Sequence, residues 1–472
     1  MMNAKPRSRR EFLKVAAGTV GVGALAAHGQ LGGLQLGSGT ADAATTAVRV
    51  PKIEPEGVLW GLQYDPHVAA YKRLADLFKK QTGSTMNVQP QAWPLDTKLI
   101  AALSAGTQPD VCCIFGSAST ALFIQNVLVP LGDPVFKAKN VDPSQAFIGD
   151  AVQAFIWKGQ ILGVPVESNA VGSVVNVPIE DVNARGLGQK YPPLDGQTYF
   201  ESYPAMWQLA QALQVKRNGR VRRWGLTSQG WDQASLFGIM RSLGTDWWDL
   251  NARKFNVNTP AGVHAIQLLV ETPVKMGIET ELGGGTQSSV DLALAGKVAL
   301  ARGNPTVATT STAKLGYHYE LAGVPRLKPG QDPLLVGEGG WGFATPKRAK
   351  HPGAATAFLQ MMATEQGQLA YAQIYDGLPF FAWKALADDT TRFADRSPTG
   401  PNRKAAALFA KLTPRTVYFG EQCGYYSMIA AAVQDACTAV RQGKLTSAAA
   451  AQRIQSRLEA QYKQYLKDIQ KA

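Results

Sequence analysis

Hydrophobic residues after position 57 alternate between short runs and sets with helical spacing. An apolar run at 58–60 predicts a strand, and Asp65 and Pro66 suit the N-cap and first turn of a helix. Apolar residues follow at intervals of three and four up to Gly83: Val68, Tyr71, Leu74, Ala75 and Phe78. Further patterns predict strands at 86–88 and 111–115 around a helix near 99–103. This order predicts an α/β domain with a largely parallel sheet.

A second α/β pattern extends from about 165 to 335. It includes a helix near 203–213, a strand at 224–227 and a helix near 261–269. The remaining chain is predicted to form a series of helices, the last of them at about 446–469.

Three loops of the first predicted sheet lie where open α/β sheets bind ligands, at the carboxyl ends of strands. These loops span 61–65, 89–94 and 116–120. They contain aromatic and polar side chains that suit a sugar or a similar polyol: Tyr64, Asp65, Trp93 and Ser117. We therefore predict that these side chains contribute to a ligand-binding site.

The first 43 residues have the features of an export signal. The segment 8–14, SRREFLK, matches the twin-arginine consensus, and a mildly apolar run follows at 15–27. Small residues at Ala41 and Ala43 suit a signal peptidase, and no cysteine lies near this point to carry a lipid. We predict a soluble periplasmic protein released near Ala43.

The composition fits a globular protein and gives little support to a nucleic-acid partner. The chain has 472 residues, of which 45% are hydrophobic and 18% charged, with a net charge of +13. Loss of the leader lowers this charge to +10. The basic residues are scattered, and the cluster at 220–223 is interpreted as a solvated turn beside Asn218 and Gly219. We expect no nucleic-acid binding.

Cysteine and histidine placement argues against a disulfide, a metal site or a catalytic centre. Cys112 and Cys113 fall in one strand, so that they face opposite sides. Cys437 lies far along a helix predicted at 425–440, too far from Cys423 to pair. The histidines are isolated, and no nucleophile elbow is present. We predict no cofactor, no metal and no enzyme activity, although paired carboxylates of a polysaccharide-degrading enzyme could be distant in sequence.

Ordered motifs resemble the extracellular solute-binding proteins of family 1, which include maltose-binding protein. The most telling segment is 99–111, LIAALSAGTQPDV. The other segments that resemble the family lie at 78–88, 126–131, 158–165, 291–305, 339–342 and 354–379. The sequence departs from the family pattern at Leu162, which replaces a tyrosine, and at 175–177. The second departure removes the usual aromatic beside the cleft.

The resemblance implies a type II periplasmic-binding-protein fold, in which two α/β lobes are joined by hinge strands. It places 44–165 with 340–385 in one lobe, and 166–339 with 386–472 in the other. The chain would cross between lobes near 164–167 and again near 337–342. The glycines of the second crossing suit a hinge, because glycine absorbs backbone rotation at low cost.

The resemblance also implies a monomeric receptor that presents a sugar or oligosaccharide to the membrane permease subunits of an ABC importer. Trp231, Trp341 and Tyr425, with the adjacent Tyr426, are predicted to stack on the ligand. Glu167, Asp65 and Asn304 are predicted to bind its hydroxyls. Other solutes stay open as alternatives: a polyamine, an organic anion or ferric iron, the last because Tyr425 and Tyr426 form a tyrosine pair.

Overall fold

In the computed structural model, placement is described for most of the chain after residue 51. The described residues are 52–92, 95–168, 174–188, 200–249, 251–285, 287–303, 307–308, 315–316, 318–337, 339–372, 381–388, 416–418 and 423–470. The predicted export signal lies outside them.

Strands and helices are numbered along the chain. The strands are β1 (Glu56–Leu62), β2 (Thr85–Gln91), β3 (Val111–Phe115), β4 (Ile156–Trp157), β5 (Gln160–Ile161), β6 (Val164–Pro165), β7 (Val174–Val177), β8 (Val215–Arg217), β9 (Arg220–Thr227), β10 (Trp248–Asp249), β11 (Lys254–Phe255), β12 (Val298–Gly303), β13 (Glu320–Gly323), β14 (Leu335–Gly337), β15 (Trp341–Ala344) and β16 (Thr416–Tyr418). The helices are α1 (Asp65–Thr82), α2 (Leu95–Ala105), α3 (Ser119–Ile124), α4 (Pro143–Ala146), α5 (Gly149–Gln153), α6 (Ile179–Ala184), α7 (Tyr203–Leu213), α8 (Asp232–Ser242), α9 (Pro260–Ile266), α10 (Thr272–Lys275), α11 (Ser289–Leu294), α12 (Pro352–Met362), α13 (Glu365–Ala372), α14 (Lys384–Asp388), α15 (Tyr426–Arg441) and α16 (Ser447–Ile469).

The first sheet has the strand order β2-β1-β3-β15-β6. Strands β1, β2 and β3 are parallel, whereas β15 is antiparallel to both β3 and β6. Tyr71 and Phe78 of α1 are buried with Phe343 and Phe358, so α1 and α12 share one core with this sheet. We call this sheet and the helices packed on it the first lobe. The predicted strand at 111–115 is confirmed.

The second sheet has the order β13-β7-β12-β9-β8. Strand β12 runs parallel to β9, and β7 is antiparallel to both of its neighbours. The core of this second lobe is formed largely by α7, α8, α9, α15 and α16, and includes Leu213, Phe237 and Ile454. Each lobe thus buries its own apolar face.

The basic residues at 220–223 lie in the second strand of a hairpin and not in its turn, which corrects the prediction of a solvated turn at 220–223. Strands β8 and β9 pair around Asn218 and Gly219. Both residues have positive φ, 52° and 73°, as a tight type I′ turn requires. Only these two residues form the turn, and Arg220 to Arg223 begin β9.

The four cysteines, all within the described residues, are buried and form no disulfide. Cys113 packs in the core that contains Leu59 and Phe343, while Cys112 packs in a separate cluster with Leu99 and Ile114. The predicted opposite orientation of the two side chains is therefore confirmed.

Glu271 fixes the start of the last helix. Its carboxylate accepts hydrogen bonds from the Ser447 backbone N–H and hydroxyl, and it pairs with Lys275 at 2.8 Å. Burial raises the pKa of Glu271, but the bonds from Lys275 and Ser447 outweigh burial and leave that pKa below its usual value.

The variant Glu271→Gln is expected to lose about 1 kcal/mol of unfolding free energy at pH 7. Because the folded pKa of Glu271 is depressed, its contribution is complete above the unfolded pKa and disappears as pH falls through the folded pKa. Urea unfolding at neutral pH and at acidic pH measures the difference. A deficit of the same size in strongly acid buffer would contradict an ionic origin.

Candidate ligand-binding cleft

The chain passes between the lobes near 164–167 and near 337–342, and these two crossings lie beside each other at the loop that follows β3. The Gly116 N–H donates to the Gly340 carbonyl at 2.7 Å, and the Val166 N–H donates to the Trp341 carbonyl at 2.9 Å. Gly340 has φ +67°, and a Cβ there would lie 2.2 Å from the Glu167 carbonyl oxygen. Glycine is therefore required at 340 for close packing of the two crossings as well as for its backbone angle.

A row of aromatic rings extends from these crossings to the second lobe. We call it the aromatic row: Tyr64, His67, Trp341, Phe115 and Tyr426. Neighbouring ring centroids are separated by 5.5, 5.8, 5.3 and 6.0 Å in that order. Its first four members belong to the first lobe and Tyr426 begins α15, so the row connects the lobes.

A buried polar network supports the row from behind. The Glu167 carboxylate accepts a hydrogen bond from the Tyr371 hydroxyl at 2.8 Å and lies 3.4 Å from His67 Nε2. His67 Nδ1 lies 3.4 Å from the Tyr71 hydroxyl, which suits a ring that accepts from Tyr71 and donates to Glu167. His67 and Glu167 are 2% and 4% exposed. Such partners fix the orientation of the imidazole beneath Tyr64 and Trp341.

The second lobe contributes the start of α8. Gln233 Nε2 donates to the Tyr426 hydroxyl at 2.9 Å and so connects α8 with the aromatic row. Trp231 lies against the end of β12, where a Cβ at Gly303 would come within 2.7 Å of the indole Cδ1. Among the described residues, the Trp231 Nε1 donor and the Ser117 hydroxyl find no hydrogen-bond partner, and both are shielded from solvent. Unsatisfied donors of this kind are suited to a polar ligand.

A buried ionic cluster holds the start of α8 in place. Arg441 donates to both Asp232 carboxylate oxygens, at 2.8 and 2.6 Å, and to Glu279 at 2.8 Å. The side chains of all three residues are completely buried. Burial raises the pKa of Glu279, although Arg441 opposes that rise. Because Asp232 is flanked by Trp231 and Gln233, this cluster positions both of them.

The structure places the predicted site residues unequally. Tyr64, Ser117, Glu167, Trp341 and Tyr426 lie in or beside the crossings and the aromatic row, whereas Trp231 lies against the end of β12 in the second lobe. The predicted pair of tyrosines is divided: the Tyr425 hydroxyl donates to Asp468 at 3.1 Å and its ring packs on Tyr465 of α16. Trp93 and Asn304 lie outside the described residues, as does the side chain of Asp65.

Sequence analysis missed His67, Phe115 and Gln233. His67 is isolated from other histidines in the sequence, but in the fold it contacts Glu167, which is 100 residues away in the chain. A signal was available for His67, since it shares one face of α1 with Tyr71 four residues later. Phe115 and Gln233 carried no such signal.

The matching family model is that of the bacterial extracellular solute-binding proteins, which covers residues 64–369. The chain belongs to this family. Members of the family are binding proteins rather than enzymes. A comparison with curated protein sequences found no match.

This solute-binding protein also resembles solved structures at low sequence identity. An ABC transporter solute-binding protein of Thermotoga lettingae bound with α-D-tagatose has a TM-score of 0.70 at 16% identity, over 87% of this chain and 100% of that one. An ABC substrate-binding protein of Listeria monocytogenes in complex with cycloalternan has a TM-score of 0.68 at 17% identity, over 86% of this chain and 98% of that one. A receptor of Streptomyces glaucescens, solved in the unliganded form and in complex with acarbose and an acarbose homologue, has a TM-score of 0.66 at 17% identity, over 88% of this chain and 99% of that one.

These similarities confirm the predicted family and the two-lobed α/β fold. Of the helices that the structure describes, none has the length and apolarity to cross a bilayer.

Proposed function

We propose that this protein binds a sugar or oligosaccharide between its lobes and delivers it to an ABC importer without altering it. The aromatic row carries the proposal, because it joins the end of β3 and the start of β15 in the first lobe to the start of α15 in the second. Ring faces suit the C–H surfaces of a pyranose, and the unpartnered Trp231 and Ser117 groups suit its hydroxyls. Two of the solved structures named above hold α-D-tagatose and cycloalternan, and the Streptomyces glaucescens receptor was solved without ligand and with acarbose, which supports the same class of solute.

The alternative solutes receive less support. Ferric iron would need Tyr425 and Tyr426 at one centre, whereas these side chains contact α16 and Phe115 respectively. Within the described ranges, no group of three or more His, Cys, Asp or Glu side chains is placed to hold a metal. A polyamine would favour free carboxylates, but Glu167 is bonded to Tyr371 and His67.

The rest of the proposal concerns location, partners and lobe boundaries. Residues 1–43 are proposed to be a twin-arginine signal that is cleaved near Ala43. The mature protein is proposed to be a periplasmic monomer that docks on permease subunits. The lobes are proposed to comprise 44–165 with 340–385, and 166–339 with 386–472. Helix α14, which spans the boundary at 385, packs near α4 of the first lobe, and Trp383 just before α14 contacts Phe147 just after α4.

A thermal-shift screen with chemically distinct ligands tests the proposal. The mature chain is heated with maltotriose, D-tagatose, cycloalternan, spermidine, citrate or ferric iron. A ligand that binds only the folded state raises the Tm, by an amount that grows with its concentration. We expect a rise with at least one carbohydrate and recovery of that carbohydrate unchanged by chromatography. A rise confined to spermidine, citrate or iron, or hydrolysis of the sugar, would reject it.

The variant Trp341→Ala is expected to weaken binding of the carbohydrate found in that screen by about thirtyfold, or about 2 kcal/mol. Its ring lies between His67 and Phe115, at the centre of the aromatic row. Titration calorimetry measures the change, with Trp60→Ala as control, because Trp60 bonds to Gln89 outside the row. Equal affinity of wild type and Trp341→Ala would remove Trp341 from the site.

A further inference from the structure

A small cavity lies in the second lobe between α8 and the segment 324–335. It is partly open to solvent, and its interior has room for about one water-sized particle. Its walls are mostly apolar and include Ile239, Val324, Leu327 and Leu335. One wall is the side chain of Arg302, the residue before the last of β12.

Arg302 is a buried cation that meets no counter-charge among the residues that the structure describes. The residue is 2% exposed, and its Nε and Nη1 atoms make no hydrogen bond to those residues. Within the part of the chain that the structure describes, no carboxylate lies within 4.0 Å of its guanidinium. The guanidinium carbon lies 6.0 Å from the Tyr203 ring centroid. Burial raises the pKa of the Tyr203 hydroxyl, so this neighbour is neutral at physiological pH.

An isolated buried charge costs several kcal/mol, and native proteins compensate such charges with a counter-charge or an ion. The other polar groups of the cavity cannot supply one. The Ser242 hydroxyl donates to the Gly238 carbonyl at 2.9 Å and accepts from the Leu334 N–H at 2.8 Å. Serine hydroxyls also carry no net charge. Among the described residues, then, no group supplies the counter-charge, and an ion in the cavity would supply it.

We propose that this cavity binds a single halide ion, chloride in the cell, against the Arg302 guanidinium. Room for about one small particle favours a monatomic ion, because a phosphate, sulfate or carboxylate needs more space and a larger set of donors than these apolar walls offer. The ion connects β12 with the segment 324–335, so it stabilises the second lobe independently of the solute in the cleft.

Bromide provides a direct probe, since it resembles chloride and scatters anomalously. Crystals of the wild-type protein grown with sodium bromide are expected to show one anomalous peak in contact with the Arg302 guanidinium. In solution, the Tm of the wild type should rise by about 3–5 °C once bromide exceeds its Kd about tenfold.

The variant Arg302→Met removes the charge and keeps a side chain of similar length. In halide-free buffer its Tm is expected to equal or exceed that of the wild type, because the uncompensated charge is gone. It should also lose the wild-type bromide response. Arg326→Met is the matched control: Arg326 pairs with Asp332 at 2.8 Å on the same segment, and its variant should keep the full response.

Each outcome decides the proposal. A bromide peak at Arg302 together with a Tm response that Arg302→Met abolishes supports it. A water molecule in place of bromide overturns it, and so does an Arg302→Met variant whose Tm still rises with bromide. An anomalous peak without any rise of the wild-type Tm in solution also overturns it, because it means binding at crystal concentration only. If Arg302→Met does not fold, the wild-type anomalous map decides alone.

Discussion

Replacement of Arg441 by methionine is expected to lower the free energy of unfolding by about 3–5 kcal/mol. The guanidinium is the cation beside the completely buried carboxylates of Asp232 and Glu279. Methionine fills similar space but leaves both carboxylates without a counter-charge. Two more partners, Ser228 and Thr227, bond to the carboxylates at 2.8 Å and cannot neutralise them. Denaturant unfolding at pH 8 measures the loss.

The Arg441→Met deficit should depend on pH in a known direction. The pKa of Glu279 is already raised by burial, and loss of Arg441 removes the interaction that opposes this rise. The folded variant then binds a proton that the unfolded chain releases, so its stability falls as pH rises. We expect a smaller deficit at pH 5 than at pH 8. A deficit independent of pH would contradict the electrostatic explanation.

Arg457→Met provides the control for the same substitution at an exposed pair. Arg457 bonds to Asp435, and the two side chains are 38% and 53% exposed. Solvent screens such pairs, so we expect a loss below about 0.5 kcal/mol. If both variants lose equal stability, the buried cluster has no special role.

Much of the fold could be predicted because it follows from local patterns. The apolar run at 111–115 became β3, and the turn at Asn218 and Gly219 formed where the two residues tolerate positive φ. The last helix, predicted at 446–469, spans Ser447–Ile469, because its apolar positions recur at helical spacing. These features depend on residues that are neighbours in the chain.

The site could be predicted only in part, because its contacts join distant segments. Trp341 was identified from the glycine-rich motif around it, but its neighbour His67 lies 274 positions earlier. Tyr425 and Tyr426 are adjacent in sequence, yet the start of α15 directs one ring to α16 and the other to Phe115. Sequence spacing gives no information on which of two adjacent side chains faces the other lobe.

The variant Gly340→Ala is expected to cost about 2–5 kcal/mol of unfolding free energy and to weaken ligand binding as well. About 1–2 kcal/mol comes from holding alanine at positive φ. A further 1–3 kcal/mol, approximately, comes from the clash of its Cβ with the Glu167 carbonyl oxygen, only 2.2 Å away. The contacted Glu167 carbonyl belongs to the backbone and cannot rotate away as a side chain could, so relief of the clash requires one crossing to move. Trp341 follows directly in the chain and would move with it.

Gly106→Ala separates these two contributions. Gly106 has φ +71°, close to that of Gly340, but a Cβ there meets no atom within 4 Å. This control should lose only the backbone cost, about 1–2 kcal/mol, and should bind carbohydrate with wild-type affinity. Thermal unfolding and titration calorimetry of both variants provide the comparison. Equal losses in the two variants would mean that the crossings yield freely to a side chain, and that the glycine at 340 is required for its backbone angle alone.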